Sequence, residues 1–344
     1  MTGTRIGAVL LLALAPAAVF GFLAPCPRVS DGRCLRRSSR LMSMSAGSPY
    51  DRRTLVEKFA AGLLGTAVVA GAGNGFDAVS GVDTTASAAE IGTKQSPVAV
   101  LGAGGKTGKL AVEGLLRRGK AARAVTRTGA FSLVQDAEGG LTTAAGDVTK
   151  TDTLKEALAG CGAVLFCASA SKKGGNAEAV DYKGVLNTAQ ACVDLGIPRL
   201  VVVSSGGVTK PDSLGFKFTN IFGNIMTLKR KGEVGLEEIY ASAPKGVTYT
   251  IVRPGGLTDG SPVGPKGIEL NQGDTISGTV NRADVAEVAV EAALSLAAEN
   301  TLFELYDKST SGPLMGSLPK VSGYERGGDS YADVFKGLQK GVGM

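Results

Sequence analysis

Pro97-Val98-Ala99-Val100-Leu101-Gly102-Ala103-Gly104-Gly105-Lys106-Thr107-Gly108 reads as a short apolar strand that passes directly into a glycine-rich loop. From Lys109 to about Arg118 the apolar residues recur at helical spacing, so the expected order is strand, loop, helix. Gly102 suits the sharp turn, Gly105 lets the backbone approach a diphosphate, and Gly108 lets the helix pack close with its first amides facing the phosphates. Gly104, Lys106 and Thr107 belong to the same cradle. A triphosphatase loop would need glycine where Val100 stands and a longer wrap, so Gly105-Lys106-Thr107 only imitates it.

Working outward, Ala122 to Thr126 is a second strand, and it ends in Thr126-Arg127-Thr128. A dinucleotide enzyme that prefers the unphosphorylated coenzyme places an acid there for the ribose 2′-hydroxyl. Arg127 instead suits a 2′-phosphate, with Arg123 as a second candidate, so the expected cofactor is NADP(H). Ala144 to Val148 reads as strand three and its exit, with Asp147 set to bond the adenine amino group and Val148 beside it. Ala163 to Ala168 reads as strand four, with Ala168 and Ser169 passing beneath the adenosine ribose, and Leu200 to Ser205 as strand five. Strands alternating with helices predict an α/β fold, a doubly wound parallel sheet flanked by helices, with the ligand at its carboxyl edge and a small C-terminal substrate-side region.

Composition narrows the chemistry. The chain has no histidine, which excludes Ser-His-Asp and Cys-His catalysis and histidine-based zinc sites. Its cysteines, Cys26, Cys34, Cys161, Cys167 and Cys192, form no C-x-x-C pair, so no metal site is expected and a reducing compartment is. Much of the net charge of +6 comes from Arg28, Arg33, Arg36, Arg37 and Arg40 in an expected leader, which leaves nucleic-acid binding without support.

Residues 1–21, with Arg5 ahead of an apolar run from Ile6 to Phe20, read as a secretory signal peptide rather than a membrane span. Residues 22–50 open on Phe22 and are rich in arginine and serine with Asp31 as the only acid before Ser48, the composition of a plastid transit peptide. Residues 51–95, with Arg52-Arg53, a mildly apolar stretch and Ala86-Ser87-Ala88, read either as a linker or as a second, thylakoid-type targeting segment. The plastid stroma is the expected location, with the thylakoid as the alternative. The nucleotide-binding domain is expected over 96–308, followed by a flexible tail over 309–344.

Ordered segments over some two hundred residues then carry a family resemblance. They include Gly102-x-x-Gly105-x-x-Gly108, Gly146-Asp147-Val148, Val180-Asp181-Tyr182-x-Gly184 with Asn187, and Val203-Ser204-Ser205-Gly206-Gly207-Val208. Leu228-Lys229-Arg230-Lys231-x-Glu233, Thr250 to Leu257, and Arg282-Ala283-Asp284-Val285-Ala286 follow. Together they resemble the atypical, NmrA-like short-chain dehydrogenase/reductases with a Rossmann fold, and within them the plastid group that includes the dehydrogenase-like subunit of the inner-envelope translocon. The resemblance implies NADP(H) binding, Lys229 at the nicotinamide ribose, and Ser204 or Ser205 near the nicotinamide.

The family's enzymes pair that lysine with a tyrosine four residues earlier, which passes a proton to the substrate. Here that position is Ile225, and no Tyr-x-x-x-Lys occurs in the chain. Two readings stay open. One is an NADPH-dependent oxidoreductase of a small carbonyl, quinone or flavin-like acceptor, its proton coming from water, Ser205, Lys229 or Lys231. The other is a non-catalytic NADP(H) sensor or assembly factor with a plastid protein partner; no counterpart of the translocon relative's Pro/Ser-rich extension follows Lys308. Arg253 is either structural or near the substrate. Arg282 and Asp284 are expected to be structural at a helix start capped by Asn281. The apolar stretch from Phe216 to Met226 packs on the domain, lines a pocket, forms a lid or meets a membrane.

Overall fold

The computed structural model describes residues 91–133, 140–170, 175–221, 223–313 and 327–341. They all fall within one compact unit, Ala78–Met344. The signal-peptide and transit-peptide assignments (residues 1–21 and 22–50), and residues 51–90 of the linker or targeting segment assigned to 51–95, lie outside the described residues.

The strand at the centre of the argument, β1 (Val98–Leu101), is buried at every position, as is β4 (Ala163–Phe166) beside it. Strands without a polar face belong inside a parallel sheet covered on both sides. Helix α1 (Lys106–Arg117) buries Gly108, Ala111, Val112 and Leu115, one stripe at helical spacing, and leads to β2 (Ala122–Thr126). Then come β3 (Leu141–Ala145), α2 (Thr151–Leu158) and β4. A π-helical turn (Glu178–Lys183) runs into α3 (Gly184–Asp194), followed by β5 (Arg199–Val203), α4 (Leu214–Asn220), α5 (Ile225–Tyr240) and β6 (Thr248–Pro254). Short strands β7 (Gly256–Thr258), β8 (Ile268–Asn271), β9 (Ile276–Ser277) and β10 (Thr279–Asn281) precede α6 (Arg282–Leu294), β11 (Thr301–Asp307) and β12 (Gly312–Pro313).

The main sheet has eight strands in the order β3-β2-β1-β4-β5-β6-β11-β8, parallel except for β8. Strand order reverses between β1 and β4, which opens the crevice where such sheets take ligands. One face is closed by α1 and α6, whose Val285, Ala286, Val288, Ala289, Ala292 and Ala293 are buried in one cluster. The other is closed by α2, α3 and α5, with Leu154, Ala189, Leu200 and Leu236 in a second.

Several boundaries differ from expectation. Strand three lies at Leu141–Ala145, upstream of the expected Ala144–Val148, because it is an edge strand with Thr142 and Thr143 exposed and no apolar run to mark it. Helix α1 begins at Lys106, so the last glycine of the loop is already helical. The domain starts before residue 96: Ile91 is in the core, and the carbonyl of Gly92 accepts from the Ala121 amide. The segment assigned as a flexible tail also needs correction. Residues 327–341 carry a short helical turn whose Val334 and Phe335 are buried against the sheet, with Phe335 tilted on Phe303 at a ring separation of 5.7 Å. Residues 314–326 of that segment lie outside the described residues.

Candidate functional site

Gly102 ends β1 with φ of +77°, and a Cβ there would lie 2.9 Å from the backbone of Ala168 at the exit of β4. A Cβ on Gly108 would overlap the carbonyl oxygen of Gly102. These two positions admit only glycine, and the result is a helix start pressed against a strand end. Gly105 caps α1 with no side-chain acceptor, and the first turn holds no acid, so the amides of Lys106, Thr107 and Gly108 are left for an external anion. Gly104 and Gly105 are exposed on the rim. The Lys106 ammonium is paired with Asp259 at 2.6 Å, and Asp259 also accepts from Arg282 at 2.6 Å.

At the adenosine end, Arg127 is exposed just beyond β2. It shares a cleft of about 600 Å³ with Asp147 and Lys150. The amide and hydroxyl of Thr149 donate to Asp147 and hold its carboxyl below the usual range, with smaller help from Lys150 and Arg127. Arg123 is not available for a phosphate: its guanidinium donates to the carbonyls of Ala157 and Ala159, closing the end of α2. Val148 is buried and packs against α3, where a Cβ on Gly184 would meet it at 2.9 Å.

At the exit of β4, Ala168 and Ser169 lie where the expected path of the dinucleotide crosses the sheet. The Ser169 hydroxyl donates to Asp181 at 2.7 Å, the Ala170 amide donates to the same carboxylate at 2.9 Å, and the Lys229 ammonium sits 2.9 Å from it. Asp181 is 1% exposed, on the π-helical turn, an irregularity frequent at functional sites. With three donors on one buried carboxylate, the Lys229 side chain is held in place at the β4 exit. At the exit of β5 the two serines separate. Ser205 donates to the carbonyl of Gly206 at 3.2 Å, whereas the buried Ser204 Oγ has no partner among the described residues. An orphan buried hydroxyl costs about 1–3 kcal/mol unless a ligand satisfies it, so Ser204 is the better candidate to meet the nicotinamide.

This arrangement fits a nicotinamide dinucleotide: a cradle only glycines allow, cations at the adenosine end, and an unpaired hydroxyl at the other. The chain matches the NAD(P)H-binding family over residues 102–295, more than half its length. It is 34% identical over 221 residues to an uncharacterised chloroplastic protein of Arabidopsis thaliana, covering 60% of this chain and 75% of that one. The chain belongs to the NAD(P)H-binding family, in its atypical short-chain dehydrogenase/reductase group. It is also 29% identical to sanguinarine reductase of Eschscholzia californica, over 63% of this chain and 90% of that enzyme. Protein TIC 62 of Arabidopsis thaliana, also chloroplastic, is 31% identical over 52% of this chain but only 30% of its own length. Among solved structures, an oxidoreductase of Lactococcus lactis superposes with a TM-score of 0.52 at 19% identity, over 61% of this chain and 90% of that one, a likeness of fold.

Within this NAD(P)H-binding domain, residues given no role in the sequence stand out. Asp181 had no assigned partner, because only the fold brings Ser169, Ala170 and Lys229 to it. Lys150 joins Arg127 around Asp147 through the turn after β3. Asp274 accepts from the amides of Gly207 and Thr209 and from the Thr209 hydroxyl, fixing the loop beyond Ser204 and Ser205. Arg253 resolves as structural: it is wholly buried, forks onto Glu233 at 3.1 and 2.7 Å, and reaches Glu304 at 3.3 Å. Asp284 is structural by a route other than capping, accepting from the amides of Val263 and Gly264 and from the Tyr331 hydroxyl. Asn281 makes no cap hydrogen bond with its side chain, which accepts from Thr258 instead. Ile225 packs against a cluster of Val208, Phe216 and Met226, while Leu214 and Ile221 are exposed; Phe222 lies outside the described residues. Among the described residues no helix is long and apolar enough to cross a membrane. Cys167, near the cradle, is half-buried, and desolvation pushes its thiol up to about 12, which disfavours the thiolate near neutral pH.

Proposed function

We propose that the chain is a plastid NADP(H)-dependent oxidoreductase acting on a small carbonyl, quinone or flavin-like acceptor. The observation that carries this reading is the glycine-only cradle at the start of α1, whose first amides are left for a diphosphate, together with the buried Ser204 hydroxyl that has no partner among the described residues. When bound, NADPH supplies the hydride. The chain's own residues do the rest. The amides of Lys106 to Gly108 hold the diphosphate, Arg127 and Lys150 favour the 2′-phosphate, and Ser204 orients the nicotinamide end. Asp181 positions Lys229 beside the β4 exit, where the ammonium can donate to a ribose hydroxyl or hold negative charge developing on the acceptor. A proton for the acceptor comes from water or from Lys229. Chloroplastic relatives support the plastid location, and a relative named as a reductase supports the chemistry.

The test is turnover of purified protein with NADPH and a panel of quinones, flavins and enones. Rates well above blank are expected. Tight NADPH binding with no turnover would sink the enzyme reading and select a sensor. One observation favours that second reading: Ile225, where a proton-donating tyrosine would stand, is packed into the Val208, Phe216 and Met226 cluster and offers no proton.

A further inference from the structure

A second cleft, of about 680 Å³, is lined by the loop that follows β5 (Val208 to Pro211), by α5 and by Arg253 of β6. One side is apolar, with Val208 and Phe216 anchored in their own buried cluster and Pro211 beside them. The other is cationic: Lys210, Arg230 and Lys231 line the cleft, and no acidic residue does.

The charge that is not cancelled locally is that of the two lysines. Arg230 reaches Glu233 at 3.2 Å, and Arg253, which forks the same carboxylate, has Glu304 as a second partner. Glu178, whose carboxyl senses the Lys231 charge, is paired with Lys183 at 2.8 Å. Neither Lys210 nor Lys231 has an ion-pair partner among the described residues. Lys210 is also held in position. The three hydrogen bonds that Asp274 accepts from Gly207 and Thr209 fix the backbone just ahead of it, and Asp274 itself takes a left-handed conformation, φ +56°, to do so. A cleft with an apolar wall, a fixed cationic rim and no acid attracts molecules with the complementary pattern.

We infer that the acceptor is an organic anion, its apolar body against Val208 and Phe216 and a carboxylate, sulfonate or phosphate held by Lys210, Arg230 and Lys231. This deepens the oxidoreductase reading and rests on it. Lys210 and Lys231 then set specificity, while the hydride-transferring end of the site stays with Ser204 and Lys229.

The experiment uses two probes that differ by one anionic sulfonate group, 1,4-naphthoquinone-2-sulfonate and 1,4-naphthoquinone, titrated by calorimetry into full-length protein saturated with NADP+. The sulfonate is expected to bind at least about tenfold tighter, with a preference that shrinks as salt is raised. The paired substitution Lys210→Gln and Lys231→Gln should abolish the preference, and Lys210→Glu with Lys231→Glu should reverse it. NADP+ affinity and melting temperature should be unchanged in the neutral pair, which serves if the reversed pair folds poorly. Equal binding of the two quinones, binding of neither, or a preference that survives the neutral pair overturns the inference. Wild-type protein that fails to retain NADP+ at all overturns the oxidoreductase reading instead, so the two failures are told apart in one titration series.

Discussion

In the proposed reading Arg127 is the residue on which coenzyme choice turns, because no other residue at the end of β2 would discriminate a 2′-hydroxyl from a 2′-phosphate. A hydrogen bond to a charged group contributes about 1.5–3 kcal/mol, so Arg127→Ala should weaken NADPH by roughly ten- to a hundredfold and leave NADH nearly unchanged. Fluorescence titration with both coenzymes measures this, and equal losses would place the 2′-phosphate elsewhere. Gly108→Ala acts at the same scale through sterics. Its methyl would collide with the Gly102 carbonyl, forcing α1 off the strand, so loss of either coenzyme is expected together with a lower melting temperature. Asp181→Asn keeps the shape of the buried partner but removes its charge. Lys229 then loses its counter-ion, and a fall in kcat larger than any change in NADPH affinity is the expected split; unchanged kcat would confine Asp181 to packing.

At the scale of elements, the C-terminal turn tests whether the chain beyond β12 belongs to the fold. Phe335 is 1% exposed and touches Phe303 of β11 across the outer part of the sheet. Phe335→Ala should therefore destabilise the domain by about 3–5 kcal/mol, read as a lower urea midpoint. A change under about 0.5 kcal/mol would mean that the turn merely rests on the surface. Composition hid this element. A Gly- and Ser-rich stretch with a few apolar residues reads as tail, and only the edge formed by β8 and β11 provides the surface those residues cover. Edge strand β3 was displaced in the sequence reading for a related reason: its exposed threonines give no apolar signal, while the glycine and aspartate of its exit do.

Over the whole molecule, a buried ionic cluster joins the far half of the sheet to the loop beside the cleft. Arg253 on β6 meets Glu233 of α5 and Glu304 of β11, and Glu304 accepts from Asn271 of β8 and from the amide of Asp274. Burial, with the Asp274 charge second, pushes Glu304 up to about 7, against the pull of Arg253 and of the Asp274 amide. The folded protein thus holds a proton that the unfolded chain has released between the ordinary carboxylate range and about pH 7. Stability falls as pH rises through that window and levels off above it. Glu304→Gln should flatten the change in urea midpoint between about pH 5 and about pH 8; a slope equal to that of the wild type would show that Glu304 titrates normally.

The doubly wound fold, the phosphate cradle and the basic residue after β2 were determined by the sequence alone, because each depends on neighbours along the chain: an apolar run, glycines at fixed spacing, a strand end. Ser169 could be nominated from the strand pattern, and Ser204 and Lys229 from family resemblance, but their states could not. Only tertiary structure decided that Asp181 claims Lys229, that Glu233 and Glu304 hold Arg253, that Arg123 is spent on a helix end, and that Ser204 rather than Ser205 is left without a partner among the described residues. Each of these depends on segments that the sheet brings together from far apart, and the electrostatics of a buried group are set by whichever charges the packing places next to it.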